Sequence, residues 1–279
     1  MSTIMVISTY VDEIPLHAGG LIANHSESGD KVIVVVMCYP ARPSKLVYPE
    51  AGTKESLYGR FKTKENWIES VASREIKDIK KILGIEEVVT LDYESCSDDL
   101  FEKEIIDKIT TLFNEYEPDV VVTHWPIGDY MDFVAAGSSV MRVLITRKLE
   151  KIPQVYFSET LTGKHTVCFS PNVYVDISKS IEKKQEACKH IWEGKNEEYF
   201  FYPYALPIAE FRGRECCVQY AEAYVQLYGN FGHVQYPRYK LDKSSRNAKV
   251  MNMNRTVNLL KRGKFGEGTG PTYPAKKQK

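Results

Sequence analysis

The sequence predicts an α/β protein: a doubly wound, mainly parallel sheet with helices on both faces. Three observations predict it. Continuous β-branched runs such as Lys31-Val32-Ile33-Val34-Val35-Val36-Met37-Cys38 lack polar alternation, the mark of strands covered on both faces. Such runs alternate with helical spacing four times in the first half of the chain. Acidic residues gather where strands hand over to helices, at the carboxyl ends of strands where open α/β sheets keep their ligands.

Taken in order, Ile4 to Ile7 is the first apolar run and predicts a strand near 4–8. Ser8-Thr9-Tyr10-Val11-Asp12-Glu13-Ile14-Pro15-Leu16-His17-Ala18-Gly19-Gly20 joins it to a helix reaching Ser28. Pro15 suits the first helical turn, where its missing N–H has no intrahelical partner, and Gly19-Gly20 allows close approach to the sheet. A strand follows at 31–38. Residues 39–66, rich in Tyr, Pro, Gly and Lys without periodicity, read as a lid or rim. A helix from Lys64 to Leu83 stops at Gly84, and strands at 88–91 and 119–123 flank an amphipathic helix over 100–116. Thr123 to Phe133 leads into a helix from about Val134 to Leu149. Short strands follow near 154–157 and 173–175, then a helix over 178–192, an aromatic, proline-rich loop over 193–210, and a long helix over 211–228 packed late onto the sheet.

From Lys240 onward the chain has eleven basic and two acidic residues. Residues 1–239 are therefore read as the α/β domain and 240–279 as a basic C-terminal extension, either solvated or serving as a packing arm in a homo-oligomer. Over the whole chain Lys plus Arg and Asp plus Glu both number 37, which argues against a globally basic nucleic-acid binder. The six cysteines show no C-x-x-C spacing, as expected of reduced thiols in a cytoplasmic protein. No basic stretch followed by an apolar one opens the chain, and no run approaches the roughly 18 apolar residues of a membrane span. The expectation is a soluble, cytoplasmic protein that acts on a small molecule, without nucleic-acid or membrane partners.

Two strand-to-helix junctions carry the chemistry. In the first, Asp12 and Glu13 either face a pocket or serve as first-turn helix residues favoured by the helix dipole. In the second, Thr123-His124-Trp125-Pro126-Ile127-Gly128-Asp129-Tyr130-Met131-Asp132-Phe133, the same strand-end rule places His124, Asp129, Tyr130 and Asp132 beside them. His124 is open to a structural or a catalytic reading.

Several stretches together resemble the LmbE-like family, also called the PIG-L deacetylase family, over about the first 230 positions. Ile7 to Gly20 looks like its strand, A-H-P-D-D-x-E motif and Gly-Gly helix. Thr123 to Phe133 aligns without a gap to its T-H-W-P-x-D-x-H-P-D-H signature. Leu91-Asp92-Tyr93, Val175-Asp176-Ile177-Ser178 with Lys184 and His190, and Arg212-Gly213 to Ala221-Glu222-Ala223 are also similar to family features. The resemblance implies a Rossmann-like sheet and a zinc hydrolase that removes acyl groups from amino sugars. It implies zinc-ligand positions at Tyr10, Glu13 and Phe133 and a general base at Asp12. Two of those three ligands are replaced: the Tyr10 phenol keeps its proton at neutral pH and Phe133 has no donor atom. Tyr130 and Gly128 replace a histidine and an aspartate of the signature, while Asp132 remains.

Bound zinc makes amide hydrolysis feasible by lowering the pKa of its water to about 7, whereas a positioned carboxylate contributes only about a hundred- to ten-thousand-fold. Crowded carboxylates titrate apart, leaving one as acid and one as base. The expectation is thus a hydrolase-like enzyme needing no cofactor, with Asp12 as base, Glu13 or Asp132 as its acid partner, and His124 orienting or stabilising charge. Tyr10, His17, Asp129, Tyr130 and Phe133 would line the site for a small polar substrate bearing an amine or a sugar. Two alternatives stand beside it. One is a zinc-dependent N-deacetylase with ligands relocated to Glu13, His17 and His124; the other is a non-catalytic protein whose aromatic pocket holds a ligand.

Overall fold

The computed structural model describes residues 1–38, 73–93, 103–160, 166–191 and 197–226, with short strands at 230–231, 234–235 and 250–252. The chain runs β1 (Thr3–Ser8), α1 (Glu13–Glu27), β2 (Lys31–Cys38), α2 (Ser73–Leu83), β3 (Glu87–Tyr93), α3 (Lys103–Tyr116), β4 (Val120–His124) and α4 (Met131–Thr146). It continues through β5 (Gln154–Ser158), β6 (Val173–Asp176), α5 (Ile181–Lys189), a π-helical stretch (Glu197–Ala205), α6 (Leu206–Cys216), β7 (Ala221–Gln226), the hairpin β8 (Asn230–Phe231) and β9 (Val234–Gln235), and β10 (Val250–Asn252). The reading of 39–66 as a lid, and the helix start at Lys64, fall outside the described residues.

The eight-stranded sheet has the order β10-β6-β7-β5-β4-β1-β2-β3. Strands β3, β2, β1, β4 and β5 are mutually parallel, and β7 runs antiparallel to both β5 and β6. Alternation along β1 builds the two cores. Ile4 and Val6 join α1, α2 and α5 on one face, and Met5 and Ile7 join α3 and α4 on the other. Every residue of α1 from Glu13 to His25 is buried. Strand order reverses about β1, with β2 and β3 to one side and β4 and β5 to the other. The crevice at the carboxyl ends of β1 and β4 is therefore the topological switch point.

Residues 197–226 depart from expectation. Residues 197–205 are π-helical where a loop is predicted, and the helix predicted over 211–228 instead spans Leu206–Cys216. Cys217 ends that helix with φ +63, and a Cβ on Gly213 would lie 2.6 Å from the Gln219 carbonyl oxygen, so the chain doubles back over the last turn. The rest becomes β7, a central strand. Ala221-Glu222-Ala223-Tyr224 satisfies a period of two as well as a helical one. A strand between β5 and β6 satisfies backbone groups on both sides, and that tertiary demand overrides helix propensity. Helix α4 begins at Met131 rather than Val134, which puts Asp132 and Phe133 in its first turn.

Three residues of the basic extension, Val250–Asn252, pair antiparallel with β6 of the same chain; the remainder of 240–279 lies outside the described residues. Cys38, Cys168, Cys188, Cys216 and Cys217 are free thiols. Among the described residues no helix is long and apolar enough to cross a membrane.

Candidate active site

Thr9 ties the two junctions together. Its N–H donates to His124 Nε2 at 3.2 Å, its hydroxyl to the Asp132 carbonyl at 3.3 Å, and its own carbonyl accepts the Cys38 N–H at 2.8 Å. The ends of β1, β2 and β4 and the start of α4 thus meet at one residue. Tyr10 donates its phenol proton to Asp132 Oδ2. Asp12, Glu13, His17, His124, Asp132, Tyr10 and Phe133 are all buried. Tyr130 is exposed at the rim, its hydroxyl 3.4 Å from that of Tyr10, and Asp129 is exposed on the loop before α4.

Electrostatics separates these groups. Burial pushes Asp12 up to about 7. Burial, and then the charge of Asp12, holds Glu13 well above the usual carboxylate range. Burial pushes His124 down to about 3, and His17 well below its ordinary value, with His124 and the Lys184 ammonium adding to the effect on His17. Both rings are neutral near pH 7, and their hydrogen bonds assign the tautomers. His124 Nε2 accepts from Thr9, so its proton sits on Nδ1. The Ser158 hydroxyl donates to the Thr123 carbonyl at 3.1 Å, so it accepts from His17 Nδ1 at 3.0 Å. That leaves an N–H on His124 Nδ1, a lone pair on His17 Nε2 and the Glu13 Oε2 atom buried without hydrogen-bond partners among the described residues.

An aromatic stack runs through the same place. Ring centroids are 4.7 Å apart for Tyr130–Phe133, 4.7 Å for Phe133–His124 and 4.5 Å for His124–His17, with Tyr10 edge-on to Phe133 at 6.2 Å. A cavity of about 30 Å³, the size of one water, adjoins His17 and is also lined by Thr160, Lys184 and Glu222.

The zinc positions implied by the resemblance offer a poor donor set. The Tyr10 phenol is raised far above its ordinary value by burial and by its bond to Asp132, and Phe133 packs where a histidine would coordinate. Only Glu13 retains a ligand atom, against the three protein ligands of a catalytic zinc site. The relocated set fares no better, because His124 Nδ1 carries a proton and Nε2 is engaged by Thr9. Among the described residues no three His, Cys, Asp or Glu side chains are grouped so that they could hold a metal ion.

Sequence reasoning missed Thr9 and Ser158, which set the two tautomers; neither residue type at those positions signals that role. It also missed the buried pairing of Lys184 with Glu222, because Glu222 was expected on a helix.

The family model described as PIG-L: GlcNAc-PI de-N-acetylase matches residues 5–144. None of the curated proteins matches this sequence. Among solved structures, the N,N'-diacetylchitobiose deacetylase of Pyrococcus horikoshii is similar at 20% identity and TM-score 0.64, over 86% of this chain and 88% of that one. GalB, the 4-carboxy-2-hydroxymuconate hydratase of Pseudomonas putida, is similar at 20% identity and TM-score 0.63, over 85% of this chain and 100% of that one. The conserved protein TT1542 of Thermus thermophilus is similar at 18% identity and TM-score 0.59, over 86% of this chain and 99% of that one. These likenesses establish the fold.

Proposed function

This chain belongs to the PIG-L family, and we propose that it is a hydrolase-like enzyme working by carboxylate acid–base chemistry without a metal. The observation that carries the reading is the pair of adjacent buried carboxylates at the switch point, with Asp12 pushed up to about 7 and Glu13 held well above the usual carboxylate range by burial and by the charge of Asp12. At neutral pH one is ready to take a proton and the other to give one.

In the reaction, water attacks the electrophilic carbon of an activated carbon–nitrogen or glycosidic-type bond. Asp12 takes a proton from that water, and Glu13 gives its proton to the departing nitrogen or oxygen. The His124 Nδ1–H stabilises negative charge that develops on the substrate. Asp132 anchors the Tyr10 phenol, and Tyr130, at the rim, offers an aromatic wall to the substrate. The substrate class is a small, polar, amine- or sugar-bearing metabolite, taken up in the cytoplasm without nucleic acid or membrane. The deacetylase and hydratase named among the structural neighbours support the idea that this fold carries reactions involving water.

A second reading, a ligand-binding protein without turnover, draws on the continuous aromatic stack from Tyr130 to His17. Asp12→Asn separates the two. It preserves shape and removes the base, so an enzyme loses roughly two to four orders of magnitude in rate. A binding protein keeps its ligand affinity, and turnover surviving the substitution intact would sink the proposal.

A further inference from the structure

Helix α1 carries the site, yet its interior includes Gly19 and Gly20, residues that weaken a helix. Distant groups bond to its backbone at the middle turn. Glu222 on β7 accepts the Gly20 N–H through Oε1 and the Leu21 N–H through Oε2, both at 2.9 Å. Lys184 on α5 donates to the Leu16 carbonyl at 2.7 Å and to Glu222 Oε1 at 2.7 Å. The Tyr224 hydroxyl donates to Glu222 Oε2 at 2.8 Å and lies 3.4 Å from the His17 carbonyl oxygen. Ser180, just before α5, adds a bond from its hydroxyl to the Gly20 carbonyl at 3.2 Å.

The gripped groups are the carbonyls of residues 16 and 17 and the N–H groups of residues 20 and 21, which face each other along a helix. A Cβ on Gly19 would meet Lys184 Cγ at 3.2 Å, so the lysine stem lies directly on the helix. Lys184 and Glu222 are 2% and 6% exposed. Such a buried pair adds little net stability over apolar residues of the same shape, but it is costly to break and specific in geometry.

We propose that Lys184 and Glu222 are positioning residues for the carboxylate–histidine site: by gripping the α1 backbone at residues 16–21 they set where Asp12, Glu13 and His17 stand against His124. The inference rests on reading that site as the seat of the chemistry. The gripped turn begins at Leu16, three residues after Glu13 on the same helix, and contains His17, so a slip or rotation of α1 moves all three groups together. The Lys184 ammonium also helps keep His17 neutral, consistent with the pair acting on the site and not only on the core.

The test is NMR on the ¹⁵N-labelled full chain, comparing wild type with Lys184→Met, Lys184→Arg and Tyr224→Phe. In Lys184→Met the His17 ring nitrogens and the Glu13 amide are expected to shift. Exchange of the Gly20 and Leu21 amides should speed at least tenfold relative to Ile33 on β2. Lys184→Arg, which keeps the charge and the donors, should restore part of the wild-type pattern. A Lys184→Met protein with a lower thermal midpoint but wild-type His17, Glu13, Gly20 and Leu21 signals would make the pair merely structural and overturn the proposal. Where Lys184→Met does not fold, Tyr224→Phe removes one hydroxyl and should move the same signals by less; unchanged signals there overturn it equally. These readouts need no turnover, so a failure of the Asp12→Asn test and a failure of this one are distinguishable.

Discussion

Asp12 holds its proton to about 7 in the folded chain, against about 3.9 for an unperturbed aspartate, and this has two consequences. For activity, Asp12 must be ionised and Glu13 protonated. The rate should rise through about pH 7 and fall at higher pH as Glu13 loses its proton. A pH–rate profile flat through that region would contradict the assignment. For stability, the folded-state pKa is raised, so the contribution is fully present below about pH 4. It erodes as the unfolded chain ionises first, and is gone above about 7. Asp12→Asn removes this dependence. The variant should match wild type near pH 4 and exceed it near pH 8, read from urea midpoints at the two values, the gain including relief of Glu13, whose proton affinity is raised partly by the Asp12 charge. The two neutral histidines carry an opposite dependence, lost as pH falls through their lowered values, but they are common to both proteins and cancel in the comparison.

Among the elements, α1 and α6 show where the chain has little freedom. A Cβ on Gly20 would lie 2.4 Å from Ile177 Cγ2, at the turn where β6 leads towards α5. Gly20→Ala should therefore cost about 1–3 kcal/mol through overpacking, visible as a lower denaturant midpoint, whereas open space at this position would leave stability unchanged. Cys217, with φ +63, ends α6 in a conformation that disfavours a side chain. Cys217→Gly should be neutral or stabilising by up to about 1 kcal/mol in the same assay, since relief of the left-handed strain offsets the entropy of glycine.

Across the protein, the sheet ends in a strand drawn from the basic extension: Val250–Asn252 covers one side of β6. Truncation after Tyr239 should leave a folded domain but expose that edge, and unpaired sheet edges invite association with other chains. Light scattering on the truncated chain should show increased self-association; a monodisperse product of unchanged state would argue against it. The protein should also purify with far less than one zinc per chain, and chelation should leave its thermal midpoint unchanged. One zinc per chain by elemental analysis, lost together with activity, would return the metal-dependent reading.

The parallel core of the sheet, and the two strand ends that meet at its switch point, could be read from the order of residues alone. Strands buried on both faces must be apolar throughout, and Pro15 suits the first turn of the helix that follows, so both are written locally. That Tyr10 and Phe133 offer no strong zinc donor is legible for the same reason, since donor atoms belong to residue type. It took the folded chain to make Ala221–Gln226 a strand, to choose which nitrogen of each histidine carries the proton, and to bring Glu222 onto α1. Those outcomes depend on pairs such as Thr9 with His124 and Gly20 with Glu222, 115 and 202 positions apart, and no local pattern records a contact between such distant residues.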